Sequence, residues 1–191
     1  MLKNLSNKIK TFFKINEREN IKDVLEDLIE DNGNGQEKID DGTKNIFKNV
    51  INLNNKCIED VMIPRADIDA VSLETTYADL VSFIDKTKHS RIPVFDDNLD
   101  QIQGMVHIRD LFEKINQTNN KKNTKISKKM IRKILFSSPS MKVLDLLLKM
   151  RSEQIHMSIV VDEFGGTNGI VTIEDLVEEI VGEIKDEHDF E

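Results

Sequence analysis

The sequence predicts an α+β fold in which one β-α-β-β-α unit occurs twice, preceded by N-terminal helices. The first observation behind this prediction is an internal repeat, because residues 90–111 and 156–176 read as copies of one stretch. Gly104 and Gly169 are 65 residues apart, whereas earlier positions of the two copies are 66 residues apart. The one-residue difference falls in a turn, where a loop tolerates a deletion at little cost. The second observation is that strand-like and helix-like apolar patterns follow the same order in both copies.

The first copy is predicted at residues 61–118 and follows a helical segment at 1–60. Apolar residues three and four positions apart indicate its helices, whereas short β-branched runs bounded by turn residues indicate its strands. Thr76 stands directly before an apolar-periodic stretch and is a suitable helix N-cap. The predicted elements are a strand at 68–71, a helix after Thr76, strands at 91–95 and 102–106, and a helix at 108–115.

The second copy is predicted at residues 131–188, after a linker at 119–130. The linker is rich in Asn and Lys and is expected to bury nothing. Each copy has too few elements to cover its own sheet, so the two copies are expected to share one interface. The predicted elements of the second copy are a strand at 134–136, a helix at 143–150, strands at 157–161 and 169–171, and a helix at 173–183.

The segment 1–60 contains three helical patterns, at 2–13, 24–29 and 41–54. The first of them carries leucine, isoleucine and phenylalanine on one face and lysines elsewhere. Such a basic amphipathic helix predicts peripheral attachment to the inner face of a membrane. The alternatives are that it docks on its own protein or stays disordered.

Composition limits the classes of partner. The chain has 27 Lys and Arg against 35 Asp and Glu, a net charge of −8, which argues against a nucleic-acid-binding surface but not against a small phosphate-bearing ligand. Cys57 is the only cysteine, so neither an intramolecular disulfide nor a thiolate zinc cluster is expected. No signal-peptide pattern is present, and no apolar run approaches the ~20 residues that span a bilayer. A cytoplasmic location is therefore predicted.

The second copy carries Gly169, Thr172 and Asp175 where a strand leads into a helix. One interpretation is structural, because Thr172 and Asp175 form a capping box that satisfies free helix amides. The other is functional: a helix start attracts anions, the Thr172 hydroxyl can donate to a phosphate, and the Asp175 carboxylate can accept ribose hydroxyls. Gly169 would leave room for a ligand to approach the strand.

The first copy has Gly104, His107 and Asp110 at the corresponding positions. Histidine is a poor N-cap, so Asp110 is harder to explain as a capping partner, which favours ligand binding. The change also predicts two unequal sites, of which the second binds phosphate better. Three arginines are candidate phosphate partners or, alternatively, solvated surface side chains: Arg65, Arg91 and Arg109.

These motifs resemble a known family. The run 91–94 (Arg-Ile-Pro-Val) and the paired Gly-x-x-[Thr/His]-x-x-Asp stretches resemble a tandem of cystathionine β-synthase (CBS) domains, a Bateman module. More narrowly, the runs 60–65 (Asp-Val-Met-Ile-Pro-Arg), 89–94 and 162–167 (Asp-Glu-Phe-Gly-Gly-Thr) resemble the CorC/HlyC family, associated with magnesium and cobalt efflux and with hemolysin C.

The resemblance implies a disc-shaped pair that binds an adenosine nucleotide (AMP, ADP or ATP) in its clefts, with or without Mg²⁺, and forms a homodimer. It would place Thr172 and Asp175 at the phosphate and ribose, and Asp110 at the ribose of the twin site, where His107 departs from the pattern. Family members usually continue into a C-terminal transporter-associated domain. This sequence stops where that domain would begin, so a fragment is expected.

The function expected from these observations is regulation of a membrane transport protein by nucleotide binding, without enzymatic activity. No catalytic constellation is present, and the four histidines have no metal-ligand spacing. The acidic positions after residue 173 could collect Mg²⁺ or simply form a solvated helix face. The alternative functions are a hemolysin-like membrane-damaging protein and a dimerisation scaffold that binds no nucleotide.

Overall fold

The computed structural model describes residues 40–117 and 124–182, which contain two β-α-β-β-α repeats and one preceding helix. The helices are α1 (Asp41–Leu53), α2 (Tyr77–Thr87), α3 (Ile108–Gln117), α4 (Val143–Glu153) and α5 (Ile173–Val181). The strands are β1 (Ile63–Pro64), β2 (Val71–Ser72), β3 (Arg91–Phe95), β4 (Ile102–His107), β5 (Leu135–Ser137), β6 (Met157–Val161) and β7 (Thr167–Thr172). The predicted α+β class and element order are confirmed. The helical patterns at 2–13 and 24–29 lie outside the described residues.

The two repeats form two sheets of the same design. In the first, β2 runs parallel to β3, and β3 pairs antiparallel with β4, which places Arg91 opposite His107. In the second, β5 runs parallel to β6, and β6 pairs antiparallel with β7, which places Met157 opposite Thr172. The predicted hairpin of each copy is thus formed, and the last helix of each repeat starts directly after it.

A short segment of each repeat pairs with the sheet of the other, and we call these two stretches, 63–64 and 132–133, the exchanged segments. Strand β1 precedes the first repeat but pairs antiparallel with β7 of the second, with Ile63 opposite Ile170. In return, Arg132 forms an isolated antiparallel bridge with Met105 on β4, through backbone N···O distances of 3.0 and 2.8 Å. The exchange links the two repeats through backbone hydrogen bonds as well as through side chains.

Gly104 and Gly169 lie where these exchanged segments cross. A Cβ atom on Gly169 would lie 2.5 Å from the Ile63 carbonyl oxygen, and one on Gly104 would overlap the Arg132 carbonyl oxygen. Gly104 also has a φ of +150°, which side-chain-bearing residues rarely adopt. The room beside Gly169 was expected to admit a ligand; that expectation is corrected, because the protein's own backbone occupies it.

Three apolar clusters form the core, one inside each repeat and one between them. The cluster between the repeats confirms the expected shared interface, and full burial of one such side chain contributes roughly 1.5–3 kcal/mol. Its buried members are Ile102 and Met105 from the first repeat and Ile134, Met157, Ile159 and Ile170 from the second.

The segment expected to be a polar linker differs from its prediction where it is described. Ile126 and Met130 are buried in the core of the first repeat. The Thr124 carbonyl accepts a hydrogen bond from the Tyr77 amide at 3.0 Å, and the Ile126 amide donates to Thr75 at 3.0 Å. Two apolar residues among many lysines and asparagines give no periodic signal, so the composition did not indicate that this segment packs against the first repeat.

Candidate functional site

The start of α5 is closed by Thr172 and Asp175. The Asp175 carboxylate accepts hydrogen bonds from the Thr172 amide at 2.7 Å and from the Thr172 hydroxyl at 2.8 Å. The Thr172 hydroxyl oxygen in turn accepts from the Asp175 amide at 3.4 Å. This is the capping box of the structural interpretation. A phosphate that accepts from this hydroxyl must first displace Asp175.

The start of α3 uses different partners. His107 accepts a hydrogen bond from the Arg109 amide on its Nδ1 at 3.1 Å, so the imidazole serves as a weak cap after all. Asp110 is instead held by Arg132, whose Nε and Nη2 each donate to one carboxylate oxygen at 2.6 Å. The paired guanidinium lowers the pKa of Asp110 below its usual value.

The change from threonine to histidine in the first repeat is matched by a second change on the exchanged segment. Met105 and Ile170 are equivalent positions of the two repeats, and they pair with Arg132 and Ile63 respectively. An arginine therefore pairs with the first repeat at the position where an isoleucine pairs with the second. It binds the carboxylate that the missing threonine would have engaged.

A cavity of about 280 Å³ lies beside the start of α3, between the two repeats. We call it the first cleft. In an acidic protein it collects three cationic side chains and two imidazoles, which makes it suited to an anion. It is lined by Arg91, Met105, His107, Arg132, Lys133, Gln154, Ile155 and His156.

Arg91 connects the repeats across this cleft. It starts β3 in the first repeat, yet its Nη1 donates to the Glu174 carboxylate at 2.9 Å and its Nη2 to His156 Nδ1 at 3.1 Å, both in the second. Its side chain is only 21% exposed, so the surrounding atoms weaken solvent screening. Lys133 likewise meets Glu153 at 3.0 Å. The cations of the cleft are thus held by carboxylates that an entering anion can replace.

His107 lies inside this cationic surrounding. Partial burial, which disfavours the charged ring, is the largest effect that lowers its pKa below the usual value. The positive charges of Arg91 and Arg132 lower the pKa further, while Asp110 acts in the opposite direction. The ring is therefore neutral at neutral pH.

The remaining predicted residues lie elsewhere. Arg109 is exposed on α3 and contributes its backbone amide to His107. Arg65 donates to the carboxylate of Asp100 and, at 2.9 Å, to the Thr167 carbonyl. Thr167 begins β7, whereas Thr172 ends it, and five residues of strand span roughly 17 Å. The structure therefore does not bring Arg65 to the start of α5.

Arg132, Lys133 and His156 are cleft residues that the sequence interpretation did not single out. Arg132 and Lys133 belong to the exchanged segment, which shows no strand periodicity. The signal that could have found Arg132 is its place just before the first strand of the second copy, since the run 60–65 holds the corresponding place in the first.

The described residues show neither a metal cluster nor a membrane-spanning helix. Within 40–117 and 124–182, no three His, Cys, Asp or Glu side chains are grouped so as to hold a metal ion. Over those ranges, every helix is too short or too polar to cross a bilayer.

Comparison with known proteins places both repeats in one family. Residues 58–117 and 125–182 each match the CBS domain. Over 147 residues the chain is 50% identical to a hemolysin C homologue of Rickettsia rickettsii (strain Sheila Smith), which covers 76% of this chain and 48% of that protein. The chain therefore spans about half the length of the curated relatives it matches.

Solved structures give the same result. The CBS domain of the bacterial CNNM/CorC family Mg²⁺ transporter superposes with a TM-score of 0.72 at 32% identity, covering 78% of this chain and 89% of that one. Its complex with ATP gives 0.69 at 33% identity, covering 74% and 98%. A CBS-domain pair with bound AMP from Klebsiella pneumoniae gives 0.56 at 30% identity, covering 66% and 98%.

Proposed function

The chain belongs to the CBS domain family, and on that premise we propose that it is the regulatory adenosine-nucleotide-binding pair of a CorC/HlyC-type protein linked to magnesium and cobalt efflux. The observation that carries the proposal is the cationic first cleft between the repeats. Its support from relatives is that a transporter CBS domain was solved with ATP and a CBS pair with AMP.

In the first cleft the phosphates are assigned to Arg91, Arg132 and Lys133. Hydrogen bonds between such cations and phosphate oxygens contribute roughly 1.5–3 kcal/mol each. Asp110 can keep Arg132 and still accept a ribose hydroxyl, because each carboxylate oxygen has two acceptor positions. The base would then lie toward the apolar side of the cleft, which Met105 and Ile155 supply.

The second cleft, at Thr172 and Asp175, remains the other proposed site. Nucleotide binding there would require the capping box to open or the Asp175 carboxylate to accept a ribose hydroxyl as well. It also has Ile63 where the first cleft has Arg132. We therefore assign the stronger anion binding to the first cleft, which reverses the ranking expected from the threonine alone.

Regulation would act through Arg91. Its bond to Glu174 joins β3 of one repeat to α5 of the other, and a phosphate that binds Arg91 competes with that bond. Such a ligand can shift the arrangement of the repeats only by its different affinity for the two arrangements. The homodimer, the membrane transport partner and the cytoplasmic location belong to the same proposal, as does Mg²⁺ as a companion of the nucleotide.

The test is calorimetric titration of the chain with ATP, ADP and AMP, each with and without Mg²⁺. We expect at least one nucleotide to bind and to raise the melting temperature. Arg132→Gln should weaken binding about tenfold or more, which corresponds to about 1.4 kcal/mol. Arg151→Gln removes the same charge from an exposed position on α4 and serves as the control. Asp175→Asn reports on the second cleft and should change the affinity less. No binding by any nucleotide would contradict the proposal.

A membrane-damaging function is the second candidate, favoured by the name of the curated relatives. The amphipathic pattern at 2–13 that could support it lies outside the described residues. Leakage of dye from anionic vesicles measures it directly, with the variant Leu5→Asp as control. The regulatory proposal expects no leakage from either protein. A dimerisation scaffold, in contrast, would show neither leakage nor a nucleotide-dependent melting temperature.

A further inference from the structure

Building on the proposed nucleotide function, we propose that the first cleft is a proton-coupled anion site, in which a phosphate group binds together with a proton on His107. The inference starts from the cavity itself. Three cationic side chains and two imidazoles line one cavity in a chain of net charge −8. The ligand class is a tetrahedral dianion, either the phosphate of a nucleotide or free inorganic phosphate.

The His107 ring accepts the hydrogen bond that an anion at the start of α3 would otherwise accept. Its Nδ1 accepts the Arg109 amide at 3.1 Å, so this nitrogen carries no proton in this geometry. Protonated Nδ1 would become a donor and would lose that bond. A phosphate oxygen beside the start of α3 can accept from both groups at once, from the Arg109 amide and from the Nδ1–H of an imidazolium. The anion and the proton therefore favour each other.

The charges around His107 set the sign of the coupling. Arg91 faces it from β3, Arg132 and Lys133 from the exchanged segment, His156 from the residue before β6, and Arg109 and Asp110 from α3. Glu174 pairs with Arg91 and Glu153 with Lys133, but the charges of Arg91, Arg132 and Arg109 on His107 still exceed that of Asp110 and oppose protonation of the ring. A dianion among the same cations reverses the local field, and its attraction for the imidazolium then favours protonation.

The second cleft provides an internal contrast. Thr172, the equivalent of His107, has a hydroxyl that does not titrate near neutral pH. A phosphate bound there would take up no proton from this position. Coupling is thus expected for one cleft only, and it distinguishes the two sites in solution.

By linkage, the apparent Kd for sulfate should fall as pH is lowered through the range where His107 gains its proton, by at most about tenfold per pH unit. The direct measurement is calorimetry with AMP, inorganic phosphate and sulfate in buffers of different ionisation enthalpy. Sulfate keeps its charge across the neutral range, so any proton taken up with it belongs to the protein. The NMR signals of the His107 ring should shift toward the protonated form when an anion is added.

The decisive variant is His107→Asn, because asparagine can accept the same amide bond and caps helices well but does not titrate. It should abolish proton uptake, while His89→Asn, which changes a histidine that contacts Asp69 at 3.1 Å, should leave uptake unchanged.

The outcomes separate this inference from the function on which it rests. Nucleotide binding with equal proton uptake in the native chain and in His107→Asn would overturn the coupling and leave the regulatory proposal standing. Sulfate or phosphate binding with His107-dependent uptake, but without nucleotide binding, would support the coupling and overturn the nucleotide function. If no anion binds at all, both are overturned.

Discussion

The two repeats begin their last helices with the same spacing of residues but with different chemistry. In the second repeat, Thr172 and Asp175 satisfy each other within three residues, so the cap of α5 is local. In the first repeat, Asp110 is bound by Arg132, which arrives from the exchanged segment 22 residues further along the chain. One helix start is a local motif, and the other is a contact between repeats.

This difference determines how far the effect of a bound anion extends through the molecule. An anion at the second helix start competes with a local cap, so its effect stays close to α5. An anion at the first would bind Arg132 and Arg91, each of which reaches from one repeat to the other. Only the first cleft therefore offers a direct route from occupancy to the arrangement of the repeats.

The largest change in the free energy of unfolding is expected for Gly104 and Gly169, the two glycines at which the exchanged segments cross. Gly104→Ala places a Cβ against the Arg132 carbonyl at a positive φ and should lower the free energy of unfolding by about 3 kcal/mol. Gly169→Ala meets the Ile63 carbonyl without a positive φ and should cost about 1–3 kcal/mol. Urea unfolding measures both. Gly165→Ala, with a φ of +85° and open space around it, is the control and should cost about 1 kcal/mol.

The next largest change in the free energy of unfolding distinguishes the cap of α5 from the cap of α3. Thr172→Val keeps the shape of the side chain but removes the hydroxyl, and it should destabilise the chain by about 1–2 kcal/mol. His107→Ala removes a single accepted hydrogen bond and should cost about 0.5–1 kcal/mol. Equal losses, measured by urea unfolding in one buffer, would mean that the two helix starts are not energetically different.

The sequence predicted the parts of the fold that carry local signals. Strands β3 and β6 have the predicted bounds, because turn residues flank each β-branched run. Strand β2 was expected at 68–71 but covers Val71–Ser72, since a 3₁₀ turn at Arg65–Asp67 occupies the preceding chain. Strand β1 has two residues, too few for any periodicity, and its pairing with β7 is non-local.

The candidate site follows the same rule. Arg91, His107 and Asp110 were predicted from the repeat and do lie at or beside the first cleft. Arg132 was missed because its role comes from the exchange of segments. Arg65, a candidate phosphate partner in the sequence, binds Asp100 and the Thr167 carbonyl, two contacts between distant stretches. Pairings between distant stretches leave little trace in one sequence, so contacts across the repeats needed the structure.

A smaller effect concerns stability and pH. The folded chain lowers the pKa of His107, so the folded state favours the neutral ring more than the unfolded state does. Its contribution to stability is therefore complete above the ordinary histidine pKa of about 6.5 and is lost as pH falls below that value. His107→Asn should flatten the pH dependence of the unfolding free energy between about pH 7 and 5. An unchanged slope in urea titrations across that range would contradict the assignment.

The smallest change in stability is expected for Arg132→Ile, which puts the isoleucine found in the second cleft at the corresponding position of the first. In Arg132→Ile the ion pair with Asp110 is lost, and that pair is well exposed on the arginine side, at 53%. Exposed pairs contribute about 0–1 kcal/mol and are screened by salt, so the native chain should be more stable by that amount in dilute buffer and by less in about 1 M NaCl. Arg151→Ile, on an exposed face of α4, controls for the loss of charge. Because the same substitution should weaken anion binding far more than it weakens folding, a loss of stability above about 2 kcal/mol would show that Arg132 serves the interface between the repeats rather than the ligand.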